Sequence, residues 1–200
     1  MEFEIYIDNE KIKTLKKTFK TIGLAIKEAN MLLRKKGKLI ISIDVNGSEF
    51  DENYLYTDKK QILEIKTKTQ STILLDGILL SREYITKYFD ILTEINFEEE
   101  QFLDIKEGVK ELLDLTGWFY GLLIATVENY QLQNSELGEY LYRYEEEIVG
   151  LIEAYDEGNI NYVLDILENE MGILLGEFLE NYDRFKDELF KEDGISRFLS

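Results

Sequence analysis

Hydrophobic and polar residues first alternate along the chain and then recur with a helical period. Residues 3–7 place an apolar side chain at every second position, which predicts a strand with one buried face. From Thr21 to Leu33 the apolar positions recur every three or four residues, and Gly37 suits the left-handed end of the helix that this spacing predicts. Residues 39–45 and 61–69 are again strand-like in composition. The first 70 residues are therefore predicted to form a small sheet with one helix.

Two short turns complete this predicted sheet. Asp8-Asn9-Glu10 leads into a second predicted strand at residues 11–15, and Asn46-Gly47 is the strongest hairpin signal in the chain. The resulting element order, β-β-α-β-β-β, resembles that of a small β-grasp-like module. The resemblance is one of element order and includes no sequence motif.

Residues 71–200 are predicted to be helical almost throughout. Apolar positions recur every three or four residues in four segments, at about 71–95, 97–132, 135–158 and 160–190. The last segment would span roughly 45 Å as one helix. We expect an α+β protein in which an antiparallel bundle of about four helices follows the N-terminal module.

Charge divides the chain at the same place as the hydrophobic period. The chain has 23 basic and 41 acidic side chains, a net charge of −18. Residues 1–70 hold 14 basic and 11 acidic groups and are net +3, whereas residues 71–200 hold 9 and 30 and are net −21. Together the two changes predict a small α+β module at residues 1–70 and an acidic helical bundle at residues 71–200.

The composition removes several kinds of chemistry. The chain has no cysteine and no histidine, which excludes disulfides, thiolate nucleophiles, imidazole bases and zinc sites built from these residues. No Gly-rich phosphate-binding loop occurs. The longest uncharged stretch, Leu115–Val127, has 13 residues and is too short for a membrane-spanning helix. We therefore expect a cytoplasmic protein with no cofactor and no membrane contact.

One arrangement of carboxylates points to an enzyme. Glu136-Leu137-Gly138-Glu139 and Glu153-Ala154-Tyr155-Asp156 form an ExxE and ExxD pair, which resembles the motifs of all-α nucleoside-triphosphate pyrophosphohydrolases. The resemblance covers about 20 of the 200 residues and implies magnesium held by four carboxylates on two facing helices. Residues 140–152 contain no turn signal, and in one continuous helix the two pairs would lie about 21 Å apart. A magnesium-dependent phosphohydrolase is the alternative function.

Two pairs of glycines occur within predicted helices. Gly117 and Gly121 share one helix face, as do Gly172 and Gly176. Four helical glycines cost about 4 kcal/mol of helix propensity, and their missing side chains let another backbone approach closely. We predict that they are helix-packing positions in the bundle. A homodimer seam, or a ligand slot beside Trp118, is the alternative.

A tyrosine-rich segment of the third predicted helix is the candidate interaction site. Tyr and Arg are the side chains that most often anchor protein interfaces, and neighbouring carboxylates attract basic proteins. We predict that Tyr140 and Tyr144, which share a helix face, are exposed and bind a partner; burial of that face in the core is the alternative. The full predicted partner-binding set is Tyr140, Tyr142, Arg143, Tyr144, Glu145, Glu146 and Glu147.

The sequence as a whole favours a non-catalytic function. We expect a protein-interaction module, adaptor or chaperone-like protein whose acidic bundle engages a basic protein. A nucleic-acid mimic, with carboxylates in place of phosphates, is a sharper form of this hypothesis. Only Phe19 is interleaved with the basic residues of the N-terminal module, and the acidic part of the chain repels nucleic acid, so no direct nucleic-acid binding is expected. The basic residues are Lys11, Lys13, Lys16, Lys17, Lys20, Arg34, Lys35, Lys36 and Lys38. A homodimer is a further hypothesis.

Overall fold

The computed structural model describes residues 1–13, 18–54, 56–95 and 102–192, with the backbone alone described at 102–105 and 192. In these ranges a five-stranded mixed sheet is followed by six α-helices. The α+β class expected from the sequence is confirmed. Contacts within the chain divide it into two units, Met1–Ile73 and Leu74–Ser200.

The sheet has the element order predicted from the sequence. Its unit contains β1 (Glu2–Ile7), β2 (Glu10–Lys11), α1 (Ile22–Arg34), β3 (Lys38–Val45), β4 (Ser48–Glu49) and β5 (Lys60–Thr69). The strands lie in the order β2-β1-β5-β3-β4, and β1 pairs with the central β5 in parallel, with Ile5 opposite Leu63. The other strand pairs are antiparallel. The second strand, expected over residues 11–15, is described at Glu10–Lys11, and residues 14–17 lie outside the described ranges.

Both hairpin turns use residues that tolerate a left-handed backbone. Asp8 and Asn9 have φ values of 51° and 68°, and Asn46 and Gly47 have φ values of 53° and 80°. Two consecutive positive φ values are typical of the type I′ turn, whose twist matches that of the flanking strands. Asn46 also ties its hairpin to β5, because its Oδ1 accepts a hydrogen bond from the N–H of Ile62 at 2.8 Å. The predicted hairpins are therefore confirmed.

One face of the sheet forms a core with α1. The hydroxyl of Thr21 caps the helix by accepting from the N–H of Leu24 at 3.3 Å. Alternate residues of β1 and β5 and one stripe of α1 are buried together, as their periods of two and 3.6 residues require. The buried set is Phe3, Ile5, Ile7, Ile22, Ala25, Ala29, Leu33, Val45, Leu63 and Ile65.

Six helices, rather than the predicted four, follow the sheet in the described part of the chain. They are α2 (Gln70–Glu94), α3 (Phe102–Tyr130), α4 (Glu136–Asp156), α5 (Ile160–Asp165), α6 (Gly172–Glu180) and α7 (Tyr182–Glu192), with a π-helical segment at Ile166–Met171. The first three agree with predicted segments. The prediction of one long helix over residues 160–190, and with it the bundle of four helices, is wrong.

Two local features interrupt that predicted helix. In the π-helical segment the N–H of Gly172 bonds to the carbonyl of Leu167, and the buried hydroxyl of Tyr88 donates to the same carbonyl at 2.6 Å. At Asn181 the backbone leaves the helical region, with φ −95° and ψ 6°, and the side chain donates to the carbonyl of Glu177. Because Tyr88 belongs to α2, a tertiary contact supports the π-helical segment.

Aromatic rings lie at the centre of the helical core. The ring centroid of Phe119 lies 4.8 Å from that of Phe178 and 5.4 Å from that of Tyr144, both in edge-to-face geometry. The ring of Tyr140 lies 5.6 Å from Phe178. Such pairs each add about 0.5–1.5 kcal/mol beyond the area they bury. They therefore fix α3, α4 and α6 against one another.

Candidate interaction site

Two of the predicted partner-binding residues lie in the core. Tyr140 is 1% exposed and Tyr144 is fully buried. The hydroxyl of Tyr140 donates to the carbonyl of Leu174 at 2.9 Å, and that of Tyr144 donates to the carbonyl of Thr116 at 3.3 Å. Burial raises the pKa of both phenols well above the usual range, so both remain protonated donors. The prediction that they anchor a partner is wrong, because their face of α4 packs against α3 and α6.

Arg143 is engaged within the chain. Its Nη1 and Nη2 donate to the two carboxylate oxygens of Glu177 at 2.8 and 2.5 Å. These hydrogen bonds lower the pKa of Glu177 and raise the pKa of Arg143. The guanidinium therefore joins α4 to α6, and a partner would have to compete with Glu177 for it.

The remaining predicted residues lie on the outer side of α4. Tyr142 is 64% exposed. Glu145 is exposed and accepts a hydrogen bond from the hydroxyl of Tyr120 at 2.8 Å, Glu146 is exposed, and Glu147 is half-buried. These four residues are accessible to a partner, as the prediction for them requires, and their binding role stays a prediction.

Three of the four predicted helix-packing glycines face open space. A Cβ atom added at Gly117, Gly121 or Gly176 would meet no described atom within 4 Å beyond its own stretch of helix. At Gly172 an added Cβ would lie 3.4 Å from the carbonyl oxygen of Leu167 and 3.8 Å from the ring of Phe89, which are ordinary contacts. The prediction of close helix crossings is therefore wrong at the first three positions, and Gly117 and Gly121 instead lie on the exposed side of α3. A homodimer through this side stays a prediction.

Close approaches occur at other glycines. A Cβ atom at Gly77 would lie 2.6 Å from Cδ1 of Leu122, and one at Gly138 would lie 2.3 Å from the carbonyl oxygen of Leu132. Sequence reasoning missed both. The sequence holds a signal for Gly138, which lies three residues after Ser135 in the first turn of α4 and donates its N–H to the capping hydroxyl of Ser135.

An apolar groove lies open between α3 and α4. It has a volume of about 300 Å³, and Gly117 contributes no side chain to fill it. We call it the α3–α4 groove. Its lining residues are Lys110, Leu113, Asp114, Thr116, Gly117, Ile148, Leu151, Ile152 and Tyr155.

Large apolar side chains on α4 are exposed at and beside this groove. Ile152 is 54% exposed, Val149 50% and Tyr155 45%. These residues lie one turn apart on the helix, so they form a continuous strip and not scattered surface positions. A contiguous exposed apolar patch is typical of an interaction site. In the sequence these three apolar residues lie outside the helix face of α4 that is buried, and this was the signal for an exposed apolar strip. The buried residues of α4 are Leu137, Tyr140, Tyr144, Ile148, Leu151 and Ala154.

The groove lining has two charged side chains, Lys110 and Asp114, and α4 is strongly acidic. Asp114, which lines it, is exposed and has no hydrogen-bond or ion-pair partner among the described residues. The only basic residue of α4 is Arg143, which Glu177 already holds. Seven carboxylates belong to α4: Glu136, Glu139, Glu145, Glu146, Glu147, Glu153 and Asp156.

The carboxylates of the alternative enzyme site do not converge. Glu136, Glu139, Glu153 and Asp156 all lie on the continuous 21-residue helix α4, which leaves the two pairs about 21 Å apart. In the parts of the chain that the structure describes, no group of three or more acidic side chains is placed to hold a metal ion.

Comparison with known proteins gives no family for the chain. No protein-family model matches it, and no curated protein and no solved structure matches it significantly. Among the described helices, none is both long and apolar enough to cross a membrane.

Proposed function

We propose that this protein is a non-catalytic protein-interaction module, adaptor or chaperone-like, whose acidic helical unit binds a basic segment of a partner protein in the α3–α4 groove. The observation that carries the proposal is an open apolar groove, lined by Asp114 and Lys110 as its charged residues, in a unit with a large excess of acidic groups. Apolar grooves supply binding energy, and charge around them selects and steers the partner.

The shape of the groove favours a helical occupant. It lies between two helices: α3 lines it with Gly117, and α4 lines it with Ile148 and Ile152. Grooves of this kind accept the apolar face of an amphipathic helix, which presents large side chains at every third or fourth position. The strip formed by Val149, Ile152 and Tyr155 provides further apolar contact for such a helix.

Charge complementarity favours a basic occupant. Residues 71–200 carry 30 acidic and 9 basic groups, and α4 alone has seven carboxylates against one guanidinium. A field of this sign raises the rate of encounter with cationic segments and disfavours acidic ones. Another copy of the acidic unit is therefore a poorer fit to the groove than a Lys- or Arg-rich helix.

Three finer assignments belong with this proposal. The strand order and the parallel pairing of β1 with β5 support a β-grasp-like module. The division of the chain at residues 73 and 74 supports domains at 1–70 and 71–200. Mimicry of nucleic acid predicts that DNA competes for the same partner. The cytoplasmic location stays a prediction from the sequence.

A designed peptide tests the proposal directly. The probe is a fluorescently labelled amphipathic helix with Leu on one face and equal numbers of Lys and Arg on the other. Its control has the same composition in a scrambled order that forms no apolar face. We expect the full-length protein to bind the probe more tightly than the control, with an affinity that falls as salt is raised.

Matched variants locate the binding site. Gly117→Leu fills the groove, whereas Gly121→Leu adds the same side chain one turn later on the exposed side of α3, outside the groove lining. Gly117→Leu should weaken peptide binding at least about tenfold, the loss expected when an apolar anchor of roughly 1.4 kcal/mol is excluded. Gly121→Leu should bind like the wild type. Equal binding of the scrambled peptide, or no effect of Gly117→Leu, would contradict the proposal.

A further inference from the structure

Two aromatic rings form an exposed stack beside the α3–α4 groove. The rings of Tyr84 on α2 and Trp118 on α3 have centroids 4.3 Å apart and planes inclined by 28°. The two residues are 40% and 38% exposed. The inner side of the stack closes on buried or half-buried apolar residues, which are Ile85, Tyr88, Leu115, Phe119 and Leu175. The stack is therefore held from beneath while part of both rings faces solvent.

A carboxylate without a partner lies next to this stack. Asp114 precedes Trp118 by four residues in α3, so the two side chains lie on one helix face about one turn apart. Among the described residues Asp114 makes no hydrogen bond or ion pair, whereas the nearby ammonium of Lys87 is paired with Glu111.

Cations occupy other aromatic faces of the helical unit. The guanidinium of Arg82 lies 5.0 Å from the ring centroid of Tyr182, and that of Arg143 lies 5.7 Å from the ring of Tyr140. Indole attracts cations more strongly than phenol. Yet in the described part of the chain no Lys or Arg lies over Trp118.

We propose that Tyr84, Trp118 and Asp114 form a binding site for a guanidinium group, supplied by an arginine side chain of the basic partner. This inference rests on the proposed function and specifies one side chain of that partner. A guanidinium is planar and weakly hydrated, so it stacks on an aromatic ring and still donates two parallel hydrogen bonds to a carboxylate. An ammonium group is compact and strongly hydrated, and it matches this arrangement less well.

The guanidinium site and the groove are continuous along α3. Gly117 and Asp114 line the groove, and Trp118 directly follows Gly117. A segment that crosses α3 at Gly117 can therefore place an apolar side chain in the groove and an arginine on the stack. The absence of a side chain at Gly117 leaves room for the backbone of that segment.

The single tryptophan of the chain provides the test. Because Trp118 is the only tryptophan, its indole N–H gives one resonance in a nitrogen–proton correlation spectrum of the full-length protein. The probes are N-acetyl-arginine amide and N-acetyl-lysine amide at matched ionic strength. We expect a saturable shift of the indole resonance with arginine, and an apparent affinity at least about fivefold weaker with lysine.

Two matched variants distinguish a specific site from general attraction to the acidic surface. Asp114→Asn should reduce the arginine affinity to that of lysine, whereas Glu128→Gln removes an exposed carboxylate of α3 outside the site and should have no effect. Tyr84→Leu removes the second ring and should weaken arginine binding as well. Equal shifts with both amides, or an arginine preference that survives Asp114→Asn, would overturn the inference.

The test of the guanidinium site can fail or succeed independently of the test of the groove. If Gly117→Leu weakens the amphipathic peptide but versions containing only arginine or only lysine bind equally, the groove stands and the guanidinium site fails. If arginine amide shifts the indole selectively but Gly117→Leu leaves peptide binding unchanged, the groove fails and the guanidinium site stands.

Discussion

The exposed glycines of α3 allow a decisive test of how this helix packs. Gly117 and Gly121 were predicted from their spacing to admit a second helix, and an added methyl group would then clash. In the structure a Cβ at either position meets no described atom within 4 Å beyond its own stretch of helix. We therefore expect Gly117→Ala and Gly121→Ala to stabilise the protein.

The magnitude follows from helix propensity. Alanine is favoured over glycine in a helix interior by about 1 kcal/mol, because it restricts the unfolded chain without losing a contact here. Each substitution should raise the free energy of unfolding by that amount, which corresponds to a melting temperature about 2–4 °C higher in a chain of this size. The double variant should gain about 2 kcal/mol, since the two positions share no contact partner.

Gly138→Ala is the matched control with the opposite sign. Its added Cβ would lie 2.3 Å from the carbonyl oxygen of Leu132 and 2.7 Å from that of Gln133. Backbone atoms at these distances have to move, so we expect a loss of about 1–3 kcal/mol. Urea unfolding followed by far-ultraviolet circular dichroism measures all four variants on one scale.

One result would refute this reasoning. If Gly117→Ala or Gly121→Ala lowered the free energy of unfolding by 1 kcal/mol or more, roughly the size of the expected gain, a neighbouring backbone would have to contact α3 there. The helix-packing prediction made from the sequence would then be correct after all.

Three further predictions concern buried and charged groups. Thr126 is fully buried and its Oγ1 has no hydrogen-bond partner among the described residues, so Thr126→Val should stabilise the protein by about 1 kcal/mol in urea unfolding. Tyr88→Phe removes the donor to the Leu167 carbonyl, so it should cost about 1 kcal/mol and speed amide exchange at residues 166–171. A hydrogen bond from Lys38, and to a smaller extent one from Thr67, lowers the pKa of Asp8 to about 2. The stability that this carboxylate contributes should therefore be present above pH 4 and lost toward pH 2. Unfolding of the wild type and of Asp8→Asn, compared across this pH range, measures the loss.

Each of these predictions has a control or a contradicting outcome. Thr116→Val removes a hydroxyl that donates to the Leu112 carbonyl at 2.7 Å, so it should not stabilise, and equal gains at both positions would contradict the argument for Thr126. Tyr142→Phe, at an exposed position, should leave stability and exchange unchanged. If the difference between wild type and Asp8→Asn persisted undiminished at pH 2, the proposed role of that carboxylate would be excluded.

Local patterns in the sequence were sufficient to predict the order of strands and helix in the N-terminal unit. Its two hairpins depend on Asp8-Asn9 and Asn46-Gly47, whose positive φ values are properties of those residues themselves. The start of α1 depends on the Thr21 cap. These features involve neighbours in the chain, so no knowledge of distant contacts was needed.

The helical part was predictable in content but not in arrangement. Hydrophobic periodicity predicted α2, α3 and α4, and in the structure Ser135 caps α4. The break of the predicted fourth helix was missed, because the π-helical segment is supported by Tyr88, 79 residues from Leu167. Hydrophobic periodicity carries no information about such a partner.

The candidate site likewise has features that the sequence predicts and features that depend on distant contacts. The sequence by itself predicted α2, α3 and α4 and determined the strong excess of acidic groups in residues 71–200, from which the prediction of a basic partner follows. Only the tertiary structure decided that Tyr140 and Tyr144 are buried and that Gly117 lies in an open groove. The physical reason is that periodicity defines which residues share a helix face, whereas burial of that face depends on helices that are distant along the chain.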